Sequence, residues 1–177
     1  MSSDLALRSV SKRFVAGADS CSVQVTALRD ASVEIRAGEV LILAGPIGSG
    51  KTTLLLCAAG LLSCDTGGVY GGARRVTYRD LDLPARPIDP PTRGSVLLLD
   101  SCDHLAELAH ARAARVIAQA IGVGASVVLA GRDASACLEL IPPTATVSVV
   151  HLRLGRSSAP QRFLPSTRVA EGAGGRY

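Results

Sequence analysis

The sequence predicts an α/β fold in which a mostly parallel sheet is flanked by helices, with antiparallel strands added on its N-terminal side. Three observations carry this expectation. Continuous apolar runs at 40–44 (VLILA), 96–100 (VLLLD) and 126–131 (SVVLAG) have the make-up of strands covered on both faces. Segments with helical spacing, TTLLLCAAG and 103–121, follow the first two runs, so strands alternate with helices. Ahead of the first run lie two shorter patterned segments with a loop of small polar residues, 16–24, between them.

Taken in order, LALRSV at 5–10 reads as a short strand leading into the basic SKRF, and ALRDASVEI at 27–35 as a second strand with Val33 and Ile35 on one face. RAGE at 36–39 is a turn around Gly38 that delivers the chain into the run at 40–44. The helix after it stops at Gly60. Residues 63–95 are rich in Gly and Pro. Val69–Tyr70 and Arg75–Tyr78 have strand character there, and Pro84, Pro87, Pro90 and Pro91 forbid a helix. Asp103 is placed to cap the longest helix, whose stripe is Leu105, Ala109, Ala113, Val116 and Ala120. ASACLEL is a short helix closed by Pro142 and Pro143, and 146–154 a last strand or hairpin arm. Residues 1–156 are expected to form one domain, and the polar 157–177 a disordered tail.

Composition narrows the function classes. Apolar residues make up 47% of the chain, which predicts a packed core, while 3% aromatics and no Trp make that core aliphatic and leave few platforms for stacking bases. The net charge of +4 rests on 17 Arg and two Lys spread along the chain, so no nucleic-acid partner is expected. Five cysteines with no CxxC read as reduced thiols rather than a disulfide or zinc framework. The opening MSSDLALRSV lacks the apolar core of a secretory leader, and 116–131, interrupted by Gln119, Gly122 and Gly124, reads as helix end, loop and strand rather than as a membrane span. A cytoplasmic setting is the expectation.

The chemistry sits in GPIGSGKTT, Gly45 to Thr53, between a buried strand and a helix. This is the GxxxxGK[ST] pattern in its required context. Glycines let backbone N–H groups turn around phosphate oxygens while the helix points its positive end at them. Lys51 would hold the outer phosphates and the Thr52 hydroxyl would ligate Mg²⁺. The competing reading is a Gly-rich strand-to-helix turn that happens to contain one of the two lysines. Asp100, at the end of a second buried strand, would lie at the carboxyl edge of the sheet and hold Mg²⁺ through water; the competing reading is a cap on the following turn.

With both halves in place, the chain resembles the nucleotide-binding subunit of ATP-binding cassette (ABC) transporters, most specifically over residues 5–62. The resemblance implies that Phe14 stacks on adenine, the competing reading being a packing or hinge residue. It also implies that Gly45, Gly48, Ser49, Gly50, Lys51, Thr52 and Thr53 form the phosphate loop. ATP and Mg²⁺ are the implied ligands. The second half departs from the family. No Gln and no LSGGQ-type signature separate Lys51 from Asp100, which are only 49 positions apart, so the helical subdomain is expected to be missing. Where the family places a catalytic Glu stands Ser101, which cannot act as a general base. The family's later His aligns with Arg132, and the Asp after it is retained as Asp133.

These departures imply Mg-ATP binding with weak or no hydrolysis. The partner would be another ABC-type ATPase subunit or a membrane subunit, with the chain cytoplasmic or peripheral at the inner face of the membrane. Three alternatives stay open: an active ATPase energising a transporter with a complementary subunit, a small P-loop NTPase or kinase using Asp103 as base, and a decayed structural remnant. His104 and His110, six apart, do not form a metal pair, and His151 falls in or beside a strand. Asp80, Asp82 and Asp89 read as turn-forming acids, and Cys57 and Cys102 as core residues.

Overall fold

Two long strands open the chain because their apolar positions alternate, and alternation can bury only one face. They form β1 (Ser3–Ala16) and β2 (Val23–Arg36), an antiparallel ribbon. The inner row Leu5, Leu7, Val10, Leu28, Ala31, Val33 and Ile35 is buried, as the pattern at 33 and 35 predicts. The computed structural model describes residues 3–16, 22–83, 88–103, 105–153 and 155–163. Of the loop expected at 16–24, residues 17–21 lie outside the described residues, while Ala16, Val23 and Gln24 belong to the strands, because the β1–β2 pairing continues past the apolar pattern.

A turn at Gly38 (φ +72°), closed by Glu39 N–H to Arg36 O at 3.0 Å, leads into β3 (Val40–Ala44), every residue of which is buried. Helix α1 (Lys51–Ala58) follows. Its Leu54, Leu55, Cys57 and Ala58 are all buried, and Gly60 at φ +70° ends it where the sequence predicts. The Gly- and Pro-rich segment yields β4 (Thr66–Tyr70), antiparallel to β1, and β5 (Arg75–Asp80), parallel to the fully buried β6 (Ser95–Asp100). Among the described residues no helix lies between Ala58 and Ser95, as expected of a chain without the helical subdomain.

Helix α2 (Glu107–Gly122) starts four residues later than expected, and Asp103 does not cap it. The N-cap is Ala106, with no side-chain bond, and Asp103 is engaged elsewhere. Ala113, Ile117 and Ala120 form its buried stripe, with Val116 partly buried. Then come β7 (Ser126–Gly131), α3 (Ala134–Glu139), β8 (Val147–Arg153), β9 (Arg156–Ser157) and β10 (Gln161–Phe163). The last two correct the expected tail. Ser157 and Gln161–Phe163 carry strand pairing, β9 and β10 both running antiparallel to β8, while 164–177 lie outside the described residues.

The main sheet has the order β10-β8-β3-β7-β6-β5, with the five strands from β8 to β5 parallel; β2-β1-β4 forms a second, antiparallel sheet. Side chains of the parallel strands alternate between two cores. Leu41, Leu43, Val96, Leu98, Val128 and Ala130 pack with α1 and the β1–β2 ribbon. Val40, Ile42, Leu97, Leu99, Val127 and Leu129 pack with α2 and α3. Covering both faces is what makes the strand sequences continuously apolar.

Candidate functional site

The loop 45–50 leaves the sheet between the ends of β7 and β8. Register places Ala44 beside Gly131 of β7 and His151 of β8, so the next residues emerge between two strand ends. Gly45 N–H is shared between the carbonyls of Gly131 and Arg132, both at 3.2 Å, and Gly155 N–H donates to Ser49 O at 3.2 Å. The third wall is β2. A Cβ on Gly50, which has φ +96°, would come 2.3 Å from Ala27 O, and one on Gly45 would come 2.3 Å from Leu152 O. These two glycines are therefore demanded by close backbone approach.

Inside the loop, Ser49 is buried (2% exposed) and its Oγ has no hydrogen-bond partner. An unmatched buried hydroxyl costs about 1–3 kcal/mol, so a loop that holds one is shaped for an oxygen or nitrogen from outside. Lys51, the first residue of α1, folds its ammonium back onto Gly45 O and onto Pro46 O at 3.0 Å. Burial lowers its pKa, opposed by the Asp103 and Asp100 carboxylates, while the Arg132 guanidinium lowers it further. The first N–H groups of α1 lack intrahelical partners and add their partial positive charge at the same place. Thr52 is exposed on this turn and Thr53 half-buried.

Asp100 lies at the carboxyl end of β6, separated from the loop's strand by β7. It is 3% exposed. Oδ1 accepts from Ser101 N–H at 2.9 Å and Oδ2 from the Tyr78 hydroxyl at 3.2 Å. Tyr78 was not foreseen as a site residue, since its strand character carries no hint of which strand it pairs with. Burial, with Asp100 and Asp80 beside it, pushes its phenol well above the ordinary range and keeps it a donor. Ser101 takes φ +57°, a conformation that costs a non-glycine residue about 1 kcal/mol. Asp103 accepts the Arg132 N–H at 2.8 and 2.6 Å, and Asp133 caps α3 by accepting from Ser135 and Ala136 N–H.

Phe14 stands on β1 opposite Val25, two positions beyond the Ala27 that touches the loop, and is 40% exposed. Lys12 Nζ lies 5.8 Å from its ring centroid and pairs with Asp65 at 2.8 Å. Gly48 (φ +76°) faces open space. Of the acids read as turn-forming, Asp80 accepts from Asp82 N–H as a turn residue does, whereas Asp89 forms an ion pair with Arg75 of β5. His151 is exposed on β8, and His104 lies outside the described residues. Cys57, Cys64, Cys102 and Cys137 are free thiols, and no cluster of three or more His, Cys, Asp or Glu suited to a metal occurs among the described residues.

The family model described as ABC transporter matches residues 28–101, which span the loop and end just past Asp100. Over that stretch the chain resembles the ABC transporter family. It is similar to a sulfate/thiosulfate import ATP-binding protein of Cucumis sativus, with 43% identity over 75 residues, 42% of this chain and 19% of that protein. A trehalose/maltose import ATP-binding protein of Thermococcus litoralis is 47% identical over 66 residues, 37% of this chain and 18% of that protein. The chain thus matches less than a fifth of the length of either relative. Among solved structures, an ATP-binding cassette of an ABC transporter in its ADP conformation superposes with TM-score 0.67 over 97% of this chain and 96% of that one, at 13% identity, a likeness of fold. No helix among the described residues is long and apolar enough to cross a membrane.

Proposed function

We propose that this ABC-type chain binds Mg-ATP and hydrolyses it slowly or not at all, serving as the nucleotide-binding partner of another ABC-type ATPase subunit or of a membrane subunit at the inner face of the membrane. The observation that carries the reading is the orphaned, buried Ser49 hydroxyl inside a loop whose Gly45 and Gly50 leave no room for a Cβ and whose lysine folds back onto the loop carbonyls. A phosphate oxygen would satisfy Ser49 and draw Lys51 off the loop carbonyls. Phe14, exposed just beyond the loop on the β1–β2 ribbon, is where an adenine attached to those phosphates would rest.

The residues present fit Mg²⁺. The Thr52 hydroxyl and the Asp100 carboxylate are hard oxygen donors, and each Asp100 oxygen accepts a single hydrogen bond, which leaves a lone pair for a metal-bound water. Bound there, Mg²⁺ would neutralise phosphate charge. Slow turnover follows from the groups around the reacting end. Ser101 has no charge to accept a proton, and the Asp103 carboxylate is occupied by the Arg132 N–H, which argues against its service as the base. In a turnover assay the purified chain should release phosphate far more slowly than the roughly 10 s⁻¹ typical of enzymes. Turnover near that rate, abolished in Lys51→Ala, would instead support an active ATPase.

A further inference from the structure

The cysteines among the described residues lie in two pairs whose thiols meet, Cys57 with Cys64 and Cys102 with Cys137. The pairs differ in what can reach them. Cys102 and Cys137 are both sealed in the core beneath α2 and α3. Cys57 is equally buried, but Cys64 is only half-buried and has exposed Ser63 and Asp65 on either side of it. Local bonds bring this pair together and hold it. Gly60, at φ +70°, turns the chain back at the end of α1. Its N–H donates to Cys57 O at 3.0 Å, and the N–H groups of Leu61 and Leu62 both donate to Leu56 O, at 2.9 and 3.2 Å. Further on, Asp65 N–H donates to Ser11 O at 2.9 Å, while the Asp65 carboxylate accepts from the Lys12 ammonium at 2.8 Å and from Arg13 N–H at 2.7 Å. Only Ser63 and Cys64 lie between these two anchors. Cys64 therefore has little freedom, and it packs on the apolar cluster that contains Cys57, where the two thiols hydrogen-bond.

We propose that Cys57 and Cys64 form a reversible disulfide site, closed by hydroperoxides and opened by small thiols, which ties the end of α1 to the segment leading into β4. The chemistry starts at the accessible sulfur. Cys64, as its thiolate, attacks hydrogen peroxide; the O–O bond breaks, one oxygen stays on sulfur as a sulfenic acid, and the other leaves as hydroxide and takes up a proton. The Cys57 sulfur then attacks the Cys64 sulfur. An S–S bond forms, the S–O bond breaks, and the oxygen leaves as water with the Cys57 proton. In sum the two thiols lose two electrons and two protons, and the peroxide becomes two waters. Burial, reinforced by Cys64, pushes the Cys57 thiol up to about 12, so Cys57 is not the first to react. Its contact with Cys64 makes the second step intramolecular, which offsets its small thiolate fraction. A bridge here restricts the unfolded chain and adds little strain to the folded one, where the sulfurs already meet. The dithiol needs no nucleotide, and its chemistry is the same whether or not the loop 45–53 binds ATP.

The test is peptide mapping and thermal unfolding of the purified chain before and after hydrogen peroxide, with free thiols blocked by N-ethylmaleimide before digestion. Trypsin releases residues 52–74 as one peptide that holds Cys57, Cys64 and no other cysteine. After peroxide this peptide should be two hydrogens lighter and take up no maleimide, dithiothreitol should reverse the change, and Cys102 and Cys137 should stay reduced. The unfolding midpoint should rise by about 4–10 °C with the bridge and fall back on reduction. Cys64→Ser should show neither the bridge nor the rise, and Cys57→Ala gives the same comparison from the buried side. Cys64 driven to the sulfinic acid while Cys57 stays free would overturn the proposal. So would a bridge that draws in Cys21, Cys102 or Cys137 instead, or one between Cys57 and Cys64 that leaves the midpoint unchanged or lower.

Discussion

Gly50 and Gly48 offer a controlled comparison within one loop. Both have left-handed φ, +96° and +76°, so an alanine at either is strained by about 1–2 kcal/mol. At Gly48 nothing lies within 4 Å of the added carbon. At Gly50 it would come 2.3 Å from Ala27 O and 3.0 Å from Leu28 Cδ2, whereas a carbon and a carbonyl oxygen settle at about 3.3 Å or more. Either β2 or the loop must move by roughly 1 Å, at an overpacking cost of about 1–3 kcal/mol. Gly50→Ala should therefore unfold below Gly48→Ala by about 2–12 °C, since a chain of this size loses about 2–4 °C per kcal/mol. Scanning calorimetry of the two variants reads the difference directly. Equal midpoints would mean that β2 does not press on the loop, and the placement of Phe14 above it would fall too.

Tyr78→Phe removes the hydroxyl donor to Asp100 Oδ2 and should cost about 1 kcal/mol by urea unfolding, with a steeper Mg²⁺ requirement for nucleotide binding; unchanged values would show that Tyr78 does not position Asp100. The hydrogen bond from Lys12 to Asp65, and after it the Arg13 N–H, hold the Asp65 carboxyl below the usual carboxylate range. A depressed folded-state pKa gives stability that is present above the unfolded pKa of about 4 and lost as pH falls through the folded value. Unfolding midpoints of wild type and Asp65→Asn should accordingly differ at pH 7 and converge near pH 2, and a gap independent of pH would contradict the ion pair. Ser101→Gly relieves the φ +57° strain and should stabilise the chain by about 1 kcal/mol, whereas Ser101→Glu alone should not restore ATPase turnover; a destabilised glycine variant would refute the strain.

What could be seen in the sequence was set by short-range patterning. VLILA, VLLLD and SVVLAG announce themselves because burial on both faces excludes polar residues, and the loop 45–53 because its pattern of glycines, lysine and threonines is compressed into nine consecutive residues. The order of the strands could not be seen in this way. That β7 inserts between β3 and β6 depends on long-range packing, and Asp100 is therefore one strand removed from the strand that leads into the loop. Asp103 looked like a helix cap because caps are local, yet its partner is an N–H 29 residues on, at the end of β7. That bond, with Cys102 N–H to Ala130 O at 2.9 Å, holds 102–103 against β7 and delays α2 to Glu107. β10 escaped notice because three residues, QRF, carry no readable period; its pairing with β8 supplies what its composition lacks.

The thiols illustrate a reading that composition alone supports and structure sharpens. Burial, reinforced by neighbouring Cys64, pushes Cys57 up to about 12, and a hydrogen bond with Cys137 together with burial raises Cys102. Both remain protonated at neutral pH and are poor nucleophiles, which fits their place in the two cores.

Titration of Mg-ATP into wild type and Lys51→Ala tests most directly the proposal that the loop 45–53 is a nucleotide site that binds without efficient chemistry. Saturable binding to wild type, weakened at least about 100-fold by the substitution while the unfolding midpoint stays within a few degrees, is the predicted result. Absence of binding to wild type at millimolar Mg-ATP, or binding indifferent to Lys51, would contradict it.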